Sequence, residues 1–585
     1  MSEEQLTRIR HSLAHLLAAS VMKKIPGAKL GIGPVIEDGF YYDFKLPRPL
    51  IPEDLQELEA SMRALANGHH AFTKKIVTSA AAKKLLKGQP FKQELADELT
   101  NNKKQISFYA TDDIFTDLCA GPHVADTSEI DPDGFKLTKI AGAYWRGDST
   151  RDQLQRIYGV AFGNKAELDD YLQRLEEAQK RDHRVLGEKM GIFMFSEHVG
   201  SGFPLWLPNG EIIKHALIEY MREKEQKYGY QYVSTPVLTY GSLYERSGHK
   251  QFYGDNMYRL IDPEGNELFV KPMNCPHMHM MYEKLTQSYR DLPLRLAEAG
   301  GVYRFELSGT LTGLIRVRGA ITQNDVHLYV APAQLTDEFT KVLRLFREVY
   351  AELGIKDYRF QLSLPDFKKN AKKFGGDKAR WEWAADEISK VMKASGLPYT
   401  EATGEAAFYG PKLDVQMKNV MGKEDTIATA QVDILIPGRM GLVYTDEQGQ
   451  KQHPIVIHHA VLGSYERFIA FLLEQTAGYL PLWLAPVQAI VLPIGAEQEE
   501  YAKTILASLK TNGVRAQLSA DNLTLGKRIR AAEIARTPYI LVVGNKELAG
   551  QTVSVRHGKR GDLGVMPVDE LVKKLATSIR ERRED

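Results

Sequence analysis

Residues 302–319, VYRFELSGTLTGLIRVRG, alternate apolar and charged side chains on either side of a Ser-Gly-Thr turn. A period of two predicts two strands joined by a hairpin loop. Arg304 and Glu306 would share one face of the first strand, opposite Tyr303, Phe305 and Leu307, and Arg316 and Arg318 would share one face of the second. Three arginines on a sheet face repel one another unless anions lie among them, and arginine forks suit phosphate and carboxylate. The alternative is a solvated edge hairpin, but so much arginine with a single Glu favours an oligophosphate site. The chain contains no G-x-x-x-x-G-K-[ST] loop, so a nucleotide would have to be held by side chains on a sheet.

The rest of the chain sets that element in a large protein. At 585 residues it should divide into three or four domains, and 43% hydrophobic with 26% charged residues is an ordinary globular composition. Two cysteines cannot build a disulfide framework, which points to a reducing compartment. The N-terminus has no signal-peptide apolar core, no apolar run is long enough to span a membrane, and a cytoplasmic protein is expected. A net charge of +1 argues against wholesale wrapping of nucleic acid while allowing local basic patches.

Residues 1 to about 160 mix short helices and strands. Helical spacing of Leu168, Tyr171, Leu172 and Leu175 among many charges predicts one exposed connecting helix over 166–190. Residues 190–485 combine long helices with alternating strands in an antiparallel order. From "VQAIVLPI" onward strands and helices alternate, which predicts a small α/β domain with a mostly parallel sheet, and the tail "SIRERRED" reads as a solvated helix end.

Cys275 stands in "VKPMNCPHMHMMY", among histidines and methionines. Taken alone the stretch fits a thiol in a soft core better than a nucleophile or a metal ligand, because it lacks the cysteine pair of a structural zinc module. Near the N-terminus "HSLAH" sets His11 and His15 four apart on one helix face, and "DLCAGPH" sets Cys119 and His123 four apart. Either pair alone would be packing or capping; together they have the composition of a zinc set.

"YRFE", a loop and "RVRG" resemble motif 2 of class II aminoacyl-tRNA synthetases, "GSYERF" resembles motif 3, and "YVSTPVL" with Pro236 resembles motif 1, the dimer-interface element. The blocks "KPMNCP", "TQNDVHLY", "GEAAFYGPKLD" and "IHHAVLGSYERF" are together similar to the threonyl-tRNA synthetase family, and the similarity runs over nearly the whole chain. The resemblance implies a multidomain α+β and α/β protein. Its parts would be an editing domain over 1–161, of the second additional domain type of threonyl- and alanyl-tRNA synthetases, a linker helix over 162–190, a class II antiparallel catalytic core over 191–484, and an α/β anticodon-binding domain over 485–585. Such a protein is a homodimer that uses ATP with Mg2+, threonine and tRNA(Thr). The small extra module with which many family members begin would be missing here.

The resemblance also assigns residues. Cys275, His327 and His458 would hold one Zn2+ per subunit, leaving a position for threonine. Arg304 would grip the carboxylate and α-phosphate, Glu306 the adenine amino group, and Arg316 and Arg467 the outer phosphates. Met273, Gln323, Asp325, Tyr409, Lys412, Gln431, Gly463 and Ser464 would line the threonine and adenylate site, with Asp325 beside the hydroxyl. His277, His279 and His459 remain local groups; His277 stands where the family usually has Gly, and His459 where Arg is common. His11, His15, Lys92, Asp117, Cys119 and His123 would form the editing site, held in this family to work without metal. Asn522, Arg536, Glu547 and Arg556 would read the anticodon, since single-stranded bases expose their edges. Motif 2 usually closes with G-F-T-Q, whose ring stacks on adenine, whereas this chain has "GAITQ" at 319–323.

Two sites are needed for a physical reason. A pocket built around a hydroxyl rejects valine, but serine lacks only one methyl, worth about 1–3 kcal/mol or roughly 10–200-fold. Two other functions would suit parts of this pattern: a non-catalytic RNA-binding paralogue, and a stand-alone enzyme hydrolysing Ser-tRNA. The first would be expected to lack Arg304, Arg467 or a zinc ligand, and the second the whole ATP constellation.

Overall fold

The computed structural model describes residues 1–583 apart from 149, 287, 369–373, 375, 376 and 520. The chain divides into two compact units, Met1–Glu176 and Glu177–Asp585.

The first unit is built around its N-terminal helix, Glu3–Lys24. Ser2 Oγ accepts from the Gln5 N–H, Glu3 and Glu4 lie in the first turn, and Lys23 and Lys24 in the last, which complements the helix dipole. Leu13, Leu16, Leu17 and Val21 recur at helical spacing and are completely buried, packing with Phe40, Phe44, Phe135 and Ile157. Those partners come from an antiparallel sheet ordered Lys29–Leu30, Gly39–Lys45, Gln153–Ala161, Phe135–Tyr144. A second antiparallel sheet, Phe72–Val77, Ile106–Thr111 and Phe115–Leu118, ends on Asp117 and Leu118, so Cys119 leaves directly from a strand.

The second unit is dominated by an eight-stranded sheet. Its order is Gln231–Tyr232, Leu294–Val302, Ile321–Val330, Ile455–Ala460, Glu424–Asp433, Lys412–Lys418, Tyr358–Leu364, Tyr399–Thr403, antiparallel except at the two outermost pairings. The helices Pro208–Lys227, Leu335–Glu352, Lys378–Ser395 and Tyr465–Thr476 bury their apolar sides against residues of one face, among them Val326, Leu328, Val330, Ile457 and Ala430. On the other face Leu296, Tyr329 and Val456 pack with Met278 and Tyr282 of the helix Cys275–Leu285. The rest of that second face is left to polar side chains.

Four sequence expectations do not hold. The hairpin at 302–319 does not form: Leu294–Val302 pairs with Ile321–Val330 up to Val302 opposite Ile321, and residues 303–320 connect them as a loop. Its backbone groups are taken by other partners. Asn256 bonds both the N–H and the C=O of Phe305, and Arg318 Nε donates to the carbonyl of Glu306 at 2.8 Å. Between the backbones of the two limbs there are the Arg304 N–H to Arg318 carbonyl bond and a Thr312–Arg316 bridge. Arg318, expected on the anion-binding face, therefore serves the loop itself.

The connecting helix over 166–190 is two helices, Lys165–Arg181 and His183–Lys189. They part at Asp182, whose carboxylate accepts from the Arg184 N–H and so starts a new helix. The first buries only Leu168, whereas Leu186 of the second and the following Met190 enter the core of the second unit.

The C-terminal sheet is mixed rather than mostly parallel. Its order is Ala516–Leu518, Ala489–Pro493, Tyr539–Val543, Thr552–His557, Gly561–Pro567, with two parallel and two antiparallel pairings. The last two strands form a hairpin in a Gly- and charge-rich segment that reads as a loop. The tail is not simply solvated either: Arg582 lies over the rings of Tyr220 and Trp483 at 4.9 and 5.4 Å and donates to Glu223.

Candidate active site

Strand register assembles a row of polar side chains across the open face of the large sheet. His327 stands opposite His458, His458 opposite Gln431, and Gln431 opposite Lys412. Directly opposed residues share a face, and Asp325 and Gln323 join them two and four residues before His327. His459, one residue on from His458, turns to the other face, where its Nε2 meets the Tyr230 hydroxyl at 2.9 Å and its ring the Phe346 ring. Strand parity thus separates the adjacent histidines.

Gln323, Asp325, His458, Gln431 and Lys412 of this row line a cleft of ≈ 710 Å³, while the fully buried His327 does not line it, nor do Arg316 and Arg467. Of the residues expected there, Met273, Cys275, Arg304, Glu306, Gln323 and Asp325 line it, as do Tyr409, Lys412, Gln431 and His458. Gly463 and Ser464 do not line it; they shape the chain behind it. Gly463 has φ +62, and a Cβ there would meet the Ile427 carbonyl at 2.3 Å, so only glycine fits. Ser464 caps the helix Tyr465–Thr476, accepting from the N–H of Arg467.

Cys275, at the N-terminus of its helix, completes a compact donor set. The ligand atoms of Cys275, His327 and His458 lie within 4.8 Å of one another. His327 is fully buried with no hydrogen bond on either ring nitrogen, Asp325 Oδ1 standing 3.8 Å from its Nδ1, and His458 Nδ1 likewise makes no hydrogen bond. Each such buried orphan costs about 1–3 kcal/mol. One thiol and two imidazoles are the donors zinc takes in catalytic sites, so these residues fit the metal. Burial holds His327 well below its usual pKa, in the neutral form that ligates. Burial also opposes charge on His458, but Asp433 Oδ2, 3.2 Å from its Nε2, and Cys275 outweigh it and raise its pKa to about 10. A metal bound there competes with that proton. His279 is not in the set; its Nδ1 meets the Tyr329 hydroxyl at 2.9 Å.

Around this centre the polar groups are fixed. Asn274 Nδ2 donates to Asp325 at 2.8 Å, while burial lifts the Asp325 pKa to about 6. Tyr409 donates to Gln431, and Lys412 pairs with Asp414 at 2.7 Å. Arg304 Nε donates to the Pro272 carbonyl at 3.0 Å, Arg316 is 3.5 Å from Glu306, and Arg467 reaches the carbonyls of Ile315 and Thr426. Burial lowers the pKa of Arg467, and the charges of Arg316 and Arg304 lower it further. Asp425 and Glu306 offset those charges in part, and a polyphosphate would relieve the rest of the repulsion on Arg467.

The N-terminal set also comes together. Cys119 Sγ is 3.2 Å from His11 Nε2 and 3.2 Å from His123 Nε2, and the two rings stack at 4.3 Å. His15 does not join them as a donor: it is buried with its ring edge-on to Phe115 and Phe72. Lys92 and Asp117 form a buried pair at 2.7 Å, and Tyr42 also donates to Asp117. Burial pushes the Cys119 thiol up to about 11, and His15 and His123 down to about 4 and about 2. At neutral pH the cluster therefore holds a protonated thiol and neutral imidazoles, so the sulfur is not poised to attack as a thiolate. Lys92→Met strands Asp117 in the core with Tyr42 as its remaining partner. It is expected to cost about 3 kcal/mol, which lowers the melting temperature of this unit by about 10 °C. Calorimetry on the full chain checks it, and an unchanged transition would show that the pair does not stabilise the fold.

Residues 258–476 match the tRNA synthetase class II core domain (G, H, P, S and T), 488–578 the anticodon binding domain, and 106–158 the threonyl and alanyl tRNA synthetase second additional domain. A threonine–tRNA ligase of Halalkalibacterium halodurans is 44% identical over 99% of this chain and 90% of its own length. One of Thermus thermophilus is 45% identical over 99% of this chain and 89% of its own. The chain belongs to the threonine–tRNA ligase family. Among solved structures, the RNA binding domain of threonyl-tRNA synthetase from Cryptosporidium parvum superposes with a TM-score of 0.63 at 34% identity, covering 68% of this chain and 98% of that one.

The four residues expected to read the anticodon in this threonine–tRNA ligase family member do not form one cluster. Asn522 follows the strand Ala516–Leu518 and Glu547 follows Tyr539–Val543, so both sit at the C-terminal ends of parallel strands. Arg536 precedes Tyr539–Val543, and Arg556 lies opposite Ile540, at the other end of that strand. Three already have partners: Arg536 the Tyr479 hydroxyl, Glu547 the Gly544 N–H, and Arg556 the carboxylate of Glu533. Asn522 is exposed. About 10 Å of strand separates the two ends, a span that suits several splayed bases rather than one.

Proposed function

We propose that this chain activates threonine with ATP and transfers it to tRNA(Thr), and that its N-terminal unit hydrolyses Ser-tRNA(Thr). The observation that carries this reading is the row Asp325, His327, His458, Gln431, Lys412, with Cys275 above it and three guanidinium groups at its edge. Arg304 orients the amino-acid carboxylate against the α-phosphate, Glu306 accepts from the adenine amino group, and Arg316 and Arg467 hold the outer phosphates of ATP, which enters with Mg2+. In-line attack then needs positioning and charge neutralisation more than any covalent help. Asp325 accepts from the threonine hydroxyl, while Met273, Gln323, Tyr409, Lys412 and Gln431 line the pocket and Gly463 and Ser464 hold its wall. Cys275, His327 and His458 would hold zinc, which when bound supplies a Lewis-acidic position for the amino and hydroxyl groups of threonine.

His11, Cys119 and His123, with Lys92, Asp117 and His15 around them, take the mischarged tRNA end and activate water. Asn522, Arg536, Glu547 and Arg556 read the anticodon. The functional parts are 1–161, 162–190, 191–484 and 485–585. The protein acts in the cytoplasm as a homodimer; the latter is supported by exposed Val237, Leu238, Tyr240, Leu260 and Ile261 on and beside one small sheet. No helix among the described residues is long and apolar enough to cross a membrane. Threonine-dependent exchange of pyrophosphate into ATP tests the function directly, and an inactive, folded protein would overturn it.

The GAITQ segment bears on the ATP site. Ala320 is exposed and Ile321 half-buried at the start of its strand, while Phe408 lines the cleft. Replacing Ala320 and Ile321 by a single Phe is expected to lower the KM for ATP, by up to about tenfold if the ring stacks on the base, with that for threonine unchanged. An unchanged KM for ATP would assign the stacking to another group, Phe408 first.

A further inference from the structure

A buried histidine outside both sets grips the loop that carries Arg304, Glu306 and Arg316. His183 opens the helix His183–Lys189 and is 1% exposed. Its Nδ1 lies 2.7 Å from Glu474 Oε1, and its Nε2 accepts from the backbone N–H of Leu314 at 3.1 Å. An amide N–H can only donate, so Nε2 carries no proton and Nδ1–H donates to the carboxylate. Both nitrogens are used within the protein. The close approach of Asp182, His183 and Glu474 is therefore not a third metal set, although their donor atoms lie within 4.8 Å of one another.

The contact is intimate. Gly313 has φ +48, and a Cβ there would stand 2.1 Å from His183 Nε2, so the turn at Gly313 is pressed onto the ring. The next residue but one is also held: Arg467 Nε donates to the carbonyl of Ile315 at 3.3 Å. Arg467 and Glu474 are seven apart on the helix Tyr465–Thr476, hence on one side of it. One helix thus holds two consecutive residues of the loop, Leu314 through His183 and Ile315 through Arg467. Phosphates that attract the Arg467 guanidinium compete with its bond to Ile315. The His183 anchor faces no such competition.

We propose that His183 is a positioning residue for ATP: its neutral ring, oriented by Glu474, fixes the Gly313–Leu314 turn and with it the reach of Arg316 and Glu306 to the nucleotide. The proposal rests on the functional reading above. Two substitutions separate the halves of the bridge. His183→Asn places an amide near Nδ1 and keeps the link to Glu474 while losing Leu314; His183→Gln places its amide near Nε2 and keeps an acceptor for Leu314.

In threonine-dependent exchange on the full chain, His183→Asn is expected to raise the KM for ATP about tenfold, leaving the KM for threonine and kcat nearly unchanged. His183→Gln should restore most of the loss. Without ATP, proteolysis within 303–319 should be faster in the Asn variant, and ATP should suppress it. With an active wild type, equal changes in both KM values, a Gln variant no better than Asn, or unaltered cleavage of the loop would overturn the positioning role alone. A wild type without exchange activity would overturn the functional reading and this proposal together.

Discussion

Cys275→Ala lowers threonine-dependent ATP–pyrophosphate exchange by about a thousandfold, the scale of the several kcal/mol that a Lewis-acid site contributes. If the proposed zinc is held there, its metal content is expected to fall from one ion per chain to a small fraction. Cys275 is the cleanest donor to remove. His458 is bonded to Asp433, so His458→Ala would remove the partner of Asp433 Oδ2 and leave the carboxylate only the N–H groups of Leu435 and Ile436, and His327 sits in the sheet with complete burial. Cys275 lies at a helix start, is only partly buried, and its side chain can be shortened without disturbing a strand. Atomic emission on the purified variant and an exchange assay give the two readouts. Full threonine activation by a metal-free preparation of the unmodified protein would remove zinc from the mechanism and return Cys275 to the role of a core thiol.

The second large effect lies in the other unit. Removing His11 and His15 is expected to leave threonine activation intact while hydrolysis of Ser-tRNA(Thr) falls by about 100-fold. Discrimination against serine then drops toward the roughly 10–200-fold that one methyl allows. The two histidines should not contribute alike. His11 is half-buried and 3.2 Å from Cys119, so His11→Ala removes a group from the candidate chemistry. His15 packs between Phe72 and Phe115, so His15→Ala also opens a cavity and should lower stability by about 2 kcal/mol. His11→Ala alone therefore reports on catalysis, and the melting temperature of the double variant reports on packing. Unchanged deacylation of Ser-tRNA(Thr) by the His11 variant would make these histidines structural.

Much of the cleft was legible because the residues that carry chemistry come in short local patterns. "YRFE" with "RVRG" announces clustered arginine, and in the N-terminal unit "DLCAGPH" announces Cys119 with His123, while of "HSLAH" only His11 joins them. Other features had no local signature. Alternation over 302–319 suggested strands, yet alternation only says that side chains point to opposite sides of an extended backbone. Whether that backbone pairs with itself depends on partners such as Asn256 and Arg318, which take its hydrogen bonds. His183 showed no pattern at all. Its partners are Leu314 and Glu474, 131 and 291 residues away, and one histidine after an Asp reads as helix punctuation.

What the sequence by itself determined is the identity of the donors: a thiol after Asn274, histidines at 327 and 458, and arginines at 304, 316 and 467. What only the tertiary structure decided is register. His327 and His458 are 131 residues apart, and a slip of one residue in the strand Ile455–Ala460 would turn His458 into the apolar core and bring His459 to the polar face in its place. Register is set by the burial of Val326, Leu328 and Ile457 on the opposite face, a long-range packing energy that no local stretch of chain contains.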